Sequence, residues 1–264
     1  MRRRAALALL VACTAAGAAP LQPTDDPAAS EIWRKVHASV FGGRALQPAP
    51  WLALEAPARA IDGAFVPVAI RATPPAGTTI RRITLVIDAN PSPVGAAFDF
   101  SAGSGRAAVE TRVRVDAYSW VRAVAETTDG RLFASVRFVK ASGGCSAPPG
   151  SDAAAALATM GKMQLRVDGD LQGREPVLAQ LAISHPNHSG LAMDQFTRQF
   201  TPSDFVRKVE VTYKGQPVFS ADVDFSISEN PNFRFWFAPQ GAGDLRAVVV
   251  DSRDRRFDSV QAVQ

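Results

Sequence analysis

Cysteine is nearly missing from this chain: among 264 residues only Cys13 and Cys145 carry a thiol. That excludes a disulfide framework and every paired-cysteine redox or zinc motif. Histidine is almost as scarce, at three residues. Beyond the first 20 residues no apolar run reaches the roughly 20 residues that span a bilayer, so no transmembrane segment is expected. An excess of one charge is missing too. The formal net charge is +4, but three of the 29 basic residues are Arg2, Arg3 and Arg4. Without them 26 basic face 25 acidic residues, a balance of +1. No basic patch interleaved with aromatics is present, so nucleic acid is excluded as a partner. There is no G-x-S-x-G elbow, no P-loop, no dinucleotide fingerprint and no C-x-x-C-H haem motif. No catalytic residue, cofactor or metal site is therefore expected from any of these motifs.

What is present begins with a leader. "MRRRAALALLVACTAAGAAP" has a basic start, a short apolar core and small residues for cleavage, the pattern of a secretory signal over residues 1–19. Leu10-Val11-Ala12-Cys13 also resembles a lipobox, which would anchor lipid on Cys13, and the arginine pair leaves twin-arginine export open. Either mode of processing leaves Cys145 without an intramolecular partner. An odd thiol in an oxidising compartment is a liability that needs a reason.

After Asp26-Pro27, a helix start, the stretch "EIWRKVHASVFGG" places Ile32, Val36 and Val40 at helical spacing. This predicts one short helix near 27–41 with that stripe inward, joined by Trp33, and a stop at Gly42-Gly43. From Trp51 the period changes to two. "FVPVAI" carries Pro67 and reads as an edge strand. "AVETRVRVDAY" sets Val109, Thr111 and Val113 against outward Glu110, Arg112 and Arg114. Asp129-Gly130 marks a hairpin before "RLFASVRFV". About seven short strands in roughly 90 residues read as a β-sandwich.

Residues 141–162 break the alternation with "ASGGCSAPPGSDAAAALATMGK", a Gly/Pro/Ala linker with an Ala-rich part long enough for one or two helical turns. The β pattern resumes from 163 to the end. Lys214-Gly215 marks another hairpin, and in "FRFWF" Phe233, Phe235 and Phe237 share one face. The expectation is an all-β chain of two β-sandwiches in tandem, 26–140 and 163–264, around an arm and linker at 141–162.

Cys145 is the residue that could carry chemistry. Gly143 and Gly144 remove side-chain bulk and permit positive φ. With Ser142 and Ser146 they would make a flexible arm that presents an exposed thiol to a partner. The other reading is an incidental loop cysteine. "SHPNHSG" sets His185 and His188 at i, i+3, but Pro186, Asn187 and Gly190 argue for a loop with surface histidines rather than a metal-binding helix.

"KASGGCSAP", closing the first β-half, resembles the thiol arm of SoxY, the sulfur-carrier subunit of thiosulfate oxidation. "ISHPNHSG", "TPSDFVRKVEVTYKGQPVFSADVDFSISENPNFRFWF" and "GAGDLRAVVVDSRDRRF" resemble its partner SoxZ. The order matches the fused SoxYZ-like carriers associated with quinoprotein dehydrogenases. The resemblance implies a non-enzymatic periplasmic carrier with Cys145 as its covalent attachment site, built of two immunoglobulin-like sandwiches paired within one molecule, with one short N-terminal helix. Its partners would be periplasmic enzymes of sulfur oxidation, or a quinoprotein dehydrogenase and its cytochrome c. Those last partners also suit a scaffold that carries no cargo. Ser146 and Ala147 stand where the family has two glycines, and the arm is tethered on both sides.

Overall fold

The computed structural model describes residues 22, 25–148, 150, 153–169, 171, 175–194 and 197–264. The leader and Cys13 lie outside them. Asp26 caps only a 3-10 turn at Pro27–Ala29, its carboxylate accepting from Ala28 N. The helix proper, α1 (Glu31–Phe41), is capped by Ser30, whose hydroxyl accepts from Trp33 N at 3.2 Å, and ends on left-handed Gly42. Its buried face is Trp33, Val36 and Phe41, while Ile32 and Val40 are 42% and 46% exposed. The expected stripe is thus rotated. The aromatic rings, which bury the most area, decide the face against Val86, Val124 and Leu132. Ser30→Ala is expected to lower stability by about 1 kcal/mol in a denaturant melt, the usual worth of such a cap.

Strands follow in two runs. The first run holds β1 (Leu46–Pro48), β2 (Leu52–Glu55), β3 (Val66–Ala72), β4 (Ile80–Ile87), β5 (Val94–Phe100), β6 (Ala107–Val113), β7 (Ser119–Thr127) and β8 (Leu132–Val139). After a short helix, α2 (Ala153–Thr159), come β9 (Met163–Asp168), β10 (Val177–Ile183), β11 (Val206–Tyr213), β12 (Gln216–Val223), β13 (Asn232–Phe237), β14 (Gly243–Asp251) and β15 (Arg256–Val263). Both turns named from sequence close hairpins: Gly130 between β7 and β8, and Lys214-Gly215 between β11 and β12, these last two at φ 51° and 77°.

The chain is an immunoglobulin-like all-β structure, and its two sheets both run through the two halves. One sheet has the order β1-β8-β7-β4-β5-β12-β11-β14-β15, the other β2-β3-β6-β13-β10-β9. The halves meet where β5 pairs antiparallel with β12, from Phe100↔Phe219 to Ala96↔Val223, and where β6 meets β13 at Glu110↔Arg234 and Val109↔Phe235. One contiguous apolar core fills the space between the sheets. Phe98 of the first half meets Phe219 and Phe233 of the second at 6.0 and 6.5 Å, and Phe219 stacks on Phe235 at 4.8 Å. The alternation of "FRFWF" explains this: the three phenylalanines are at most 1% exposed, while Arg234 and Trp236 face outward. Pro67 sits where β3 has no second neighbour, since β2 pairs only with Ala69 to Ala72. The edge read from that proline is a local one.

Candidate functional site

At one end of the sandwich four loops converge on Cys145: 56–65, 114–118, 184–190 and 224–231. The chain leaves β8 clamped to the first of them, with Lys140 N donating to Ala58 O and Ala60 N donating to Lys140 O. It then lies down rather than projecting. Gly143 N donates to Asp116 O at 2.7 Å, Gly144 N to Val115 O at 3.1 Å, and Cys145 N to Asp116 Oδ1 at 3.1 Å. The second half holds the other side: the Ser189 hydroxyl donates to Cys145 O at 2.5 Å. Arg114 spans both halves, its Nη1 donating to Gly144 O at 3.1 Å and its Nη2 to Asn187 O at 3.3 Å.

The expected exposed thiol is therefore corrected: Cys145 is 0% exposed. Ser142, Gly143 and Ser146 remain at the surface, and Gly144 is buried. The glycines explain why. A Cβ on Gly144 would stand 2.1 Å from Gly63 O, and one on Gly63 would stand 2.6 Å from Ser142 O. Missing side chains here permit backbone to pack on backbone. Only Gly143, at φ +70° with open space around it, uses glycine's conformational freedom.

Burial, with Asp116 beside it, pushes the Cys145 thiol up to about 12, against the opposing pull of Arg114. Arg114 itself is 5% exposed and its Nε has no partner among the described residues. Burial lowers its affinity for the proton. A protonated thiol is a poor nucleophile, so burial here weakens Cys145 as one. Between the unfolded value near 9 and the folded value near 12 the unfolded chain binds fewer protons, so the folded state loses stability as pH rises through that window. Alkylation of the folded protein by iodoacetamide is expected to keep accelerating above pH 9. A plateau at pH 9 would mean an exposed, ordinary thiol.

His185 and His188 lie in a loop, as expected, but not at the surface. His185 is 1% exposed, and its Nδ1 accepts from Asn187 N at 3.1 Å. Its Nε2 stands 3.5 Å from Asp251 Oδ2 and 3.7 Å from Asp204 Oδ1, and burial holds the ring below the usual histidine range. These three side chains could in principle surround a cation. Two observations give them a structural role instead. With Nδ1 accepting, the neutral ring carries its proton on Nε2, the atom a metal would need. The Arg255 guanidinium already bridges Asp204 at 2.5 Å and Asp251 at 2.6 Å. The cluster fixes the loop whose Ser189 reaches Cys145 and whose Asn187 holds Arg114. His188 is half-buried and pairs through its backbone with Asp204.

Sequence reading missed Gly63, Arg114, Asp116 and Ser189. Arg114 was expected to face outward with Glu110 and Arg112, but it lies one residue past the end of β6, where the alternation stops. A groove of about 530 Å³ on the outer face of the second sheet, lined by Pro67, Glu110 and Arg234 among others, meets the loops around Cys145 only at Ala56 and Pro57. Its Glu110 is neutralised by Arg71 and Arg234.

Residues 37–145 match the family of sulfur oxidation protein SoxY, and residues 166–262 match that of sulphur oxidation protein SoxZ. The first match ends on Cys145. No curated protein matches the chain. Among solved structures, the sulfur carrier protein SoxY from Chlorobium limicola f thiosulfatophilum is 28% identical, over 41% of this chain and 90% of its own, with a TM-score of 0.36. A superoxide reductase (neelaredoxin) from Ignicoccus hospitalis matches the same shares at 16% identity and a TM-score of 0.30. The fibronectin(III)-like modules of Clostridium thermocellum CbhA match 80% of this chain and 91% of their own at 13% identity and 0.24. With a SoxY part followed by a SoxZ part in one polypeptide, the chain is a fused SoxYZ-like protein, of a family of sulfur-oxidation carriers.

Proposed function

We propose that this protein is a periplasmic, non-enzymatic carrier that holds a small sulfur-containing species covalently on Cys145 and delivers it to partner enzymes. The carrying observation is the position of Cys145, the last residue of the SoxY match, between two glycines and a chain that turns away into the second half. Joining a thiol to a sulfur anion as a new S–S bond releases the thiol proton and two electrons. The partner that loads the arm must accept those electrons, which suits a haem or quinone centre such as a cytochrome or a quinoprotein dehydrogenase. The arm of this reading is Ser142 to Ser146, anchored upstream at Lys140 and downstream where Gly150 N donates to Glu229 Oε2 at 3.0 Å.

The burial of Cys145, with its thiol pushed up to about 12, favours a second reading: a scaffold for such a dehydrogenase or its cytochrome, with no covalent cargo. Intact mass spectrometry of protein purified from its host separates the two. A mass increment removed by a reducing agent and mapped to Cys145 supports the carrier. An unmodified chain that co-purifies with a dehydrogenase sinks it in favour of the scaffold.

A further inference from the structure

We infer that the docking nest of the arm accepts only the bare thiol, so that loading Cys145 ejects the arm and makes it available to partners. The inference rests on the carrier reading above and adds to it a state-dependent lock. Three features carry it. The Cys145 side chain is fully enclosed, so an added group has no solvent-facing direction in which to extend. A single added sulfur reaches about 2 Å beyond Sγ. The arm cannot slide to make room, because Gly144 is wedged against the backbone of Gly63 and Val115, where even a Cβ would come within 2.1 and 2.7 Å. Finally, of the five hydrogen bonds that hold the arm, three touch the cysteine or the carbonyl before it: Asp116 on its N–H, Ser189 on its carbonyl, Arg114 on the Gly144 carbonyl. A group on Sγ that is compatible with the open arm and incompatible with the docked one shifts the equilibrium by that difference.

One of these partners, Ser189, belongs to the second half, and so does the Asn187 carbonyl that positions Arg114. The lock is closed across the two parts of the chain. An empty arm is hidden from adventitious oxidants, and a loaded arm is displayed.

The test uses the full chain and methyl methanethiosulfonate. The Cys145 thiolate attacks the sulfenyl sulfur of the reagent, a methylthio group is left on Sγ through a new S–S bond, and methanesulfinate departs. Backbone hydrogen exchange at Gly143, Gly144 and Cys145 is then compared with that of the untreated chain. All three N–H groups are hydrogen-bonded in the docked state. Exchange in the methylthio protein is expected to be at least tenfold faster there, with the sheets unchanged. Equal protection in both forms overturns the inference. So does a folded chain whose thiol never reacts while the unfolded chain reacts at once, since an arm that never opens cannot be loaded. Ser189→Ala, which removes one bond and leaves the packing in place, should raise the reaction rate of the bare thiol severalfold. Gly144→Ala should raise it further and expose the three amides without any reagent. Absence of cargo in host-derived protein would defeat the carrier reading and leave these exchange results as they are.

Discussion

Cys145→Ser protein is expected to fold, to lose a few degrees of melting temperature and to lose all function in its host pathway. The stability cost follows from burial. A serine hydroxyl in a fully enclosed site requires hydrogen-bond partners that a thiol does without, and an unsatisfied one costs about 1–3 kcal/mol. That differs from what an exposed loop residue would cost. Cys145→Ala removes the polar atom and should sit closer to the parent. The functional loss is complete because no second thiol exists in the described residues to substitute. The measurement is sulfur-compound or dehydrogenase-linked turnover in a host carrying only the variant, beside a thermal melt of the purified protein. Full turnover with Cys145→Ser would eliminate covalent carriage and leave the scaffold.

Asp88→Ala should produce the largest loss of stability of any single charge removal. Asp88 and Arg122 form a bidentate pair, Nε to Oδ1 at 2.8 Å and Nη2 to Oδ2 at 2.5 Å, with side chains 0% and 3% exposed. The same guanidinium lies 4.3 Å from the Trp33 ring and donates to Pro27 O at 2.7 Å, so it ties α1 to the first sheet. Removing the carboxylate leaves a buried cation unpaired, which costs about 3–5 kcal/mol. For a chain of this size that is a fall of about 10 °C in melting temperature. The double variant Asp88→Ala, Arg122→Met should recover much of it, since no charge is then stranded. A loss below about 1 kcal/mol for Asp88→Ala would mean that the pair is solvated and α1 frays on its own.

The strands were legible because a half-buried strand writes its burial into every second residue. Phe233, Phe235 and Phe237 state their face without help, and Gly130 and Lys214-Gly215 state their turns. The helix was legible in existence and wrong in phase: Ile32, Val36 and Val40 fit the period as well as Trp33, Val36 and Phe41 do, and only the partner surface distinguishes them. The thiol was legible as a residue and not as an environment. Gly-Gly beside a cysteine permits both a free arm and a tight backbone contact, and the choice depends on Gly63, 82 positions upstream. Asp116 and Ser189 carry no local signal because they act through hydrogen bonds, two for Asp116 and one for Ser189, to a segment distant in sequence.

The seam between the halves carries a consequence for how the molecule can be made. Cut apart, each half would present two raw strand edges, β5 and β6 on one side and β12 and β13 on the other, flanked by phenylalanines from a core split open. Edges of that kind pair with whatever strand they meet first, and an orphan half would be drawn into aggregates. Two separately made subunits must find one another in equal numbers before that happens. Here each copy of the first half is born with its own complement, so the stoichiometry is fixed at one to one by the peptide chain and no surplus of either half can accumulate.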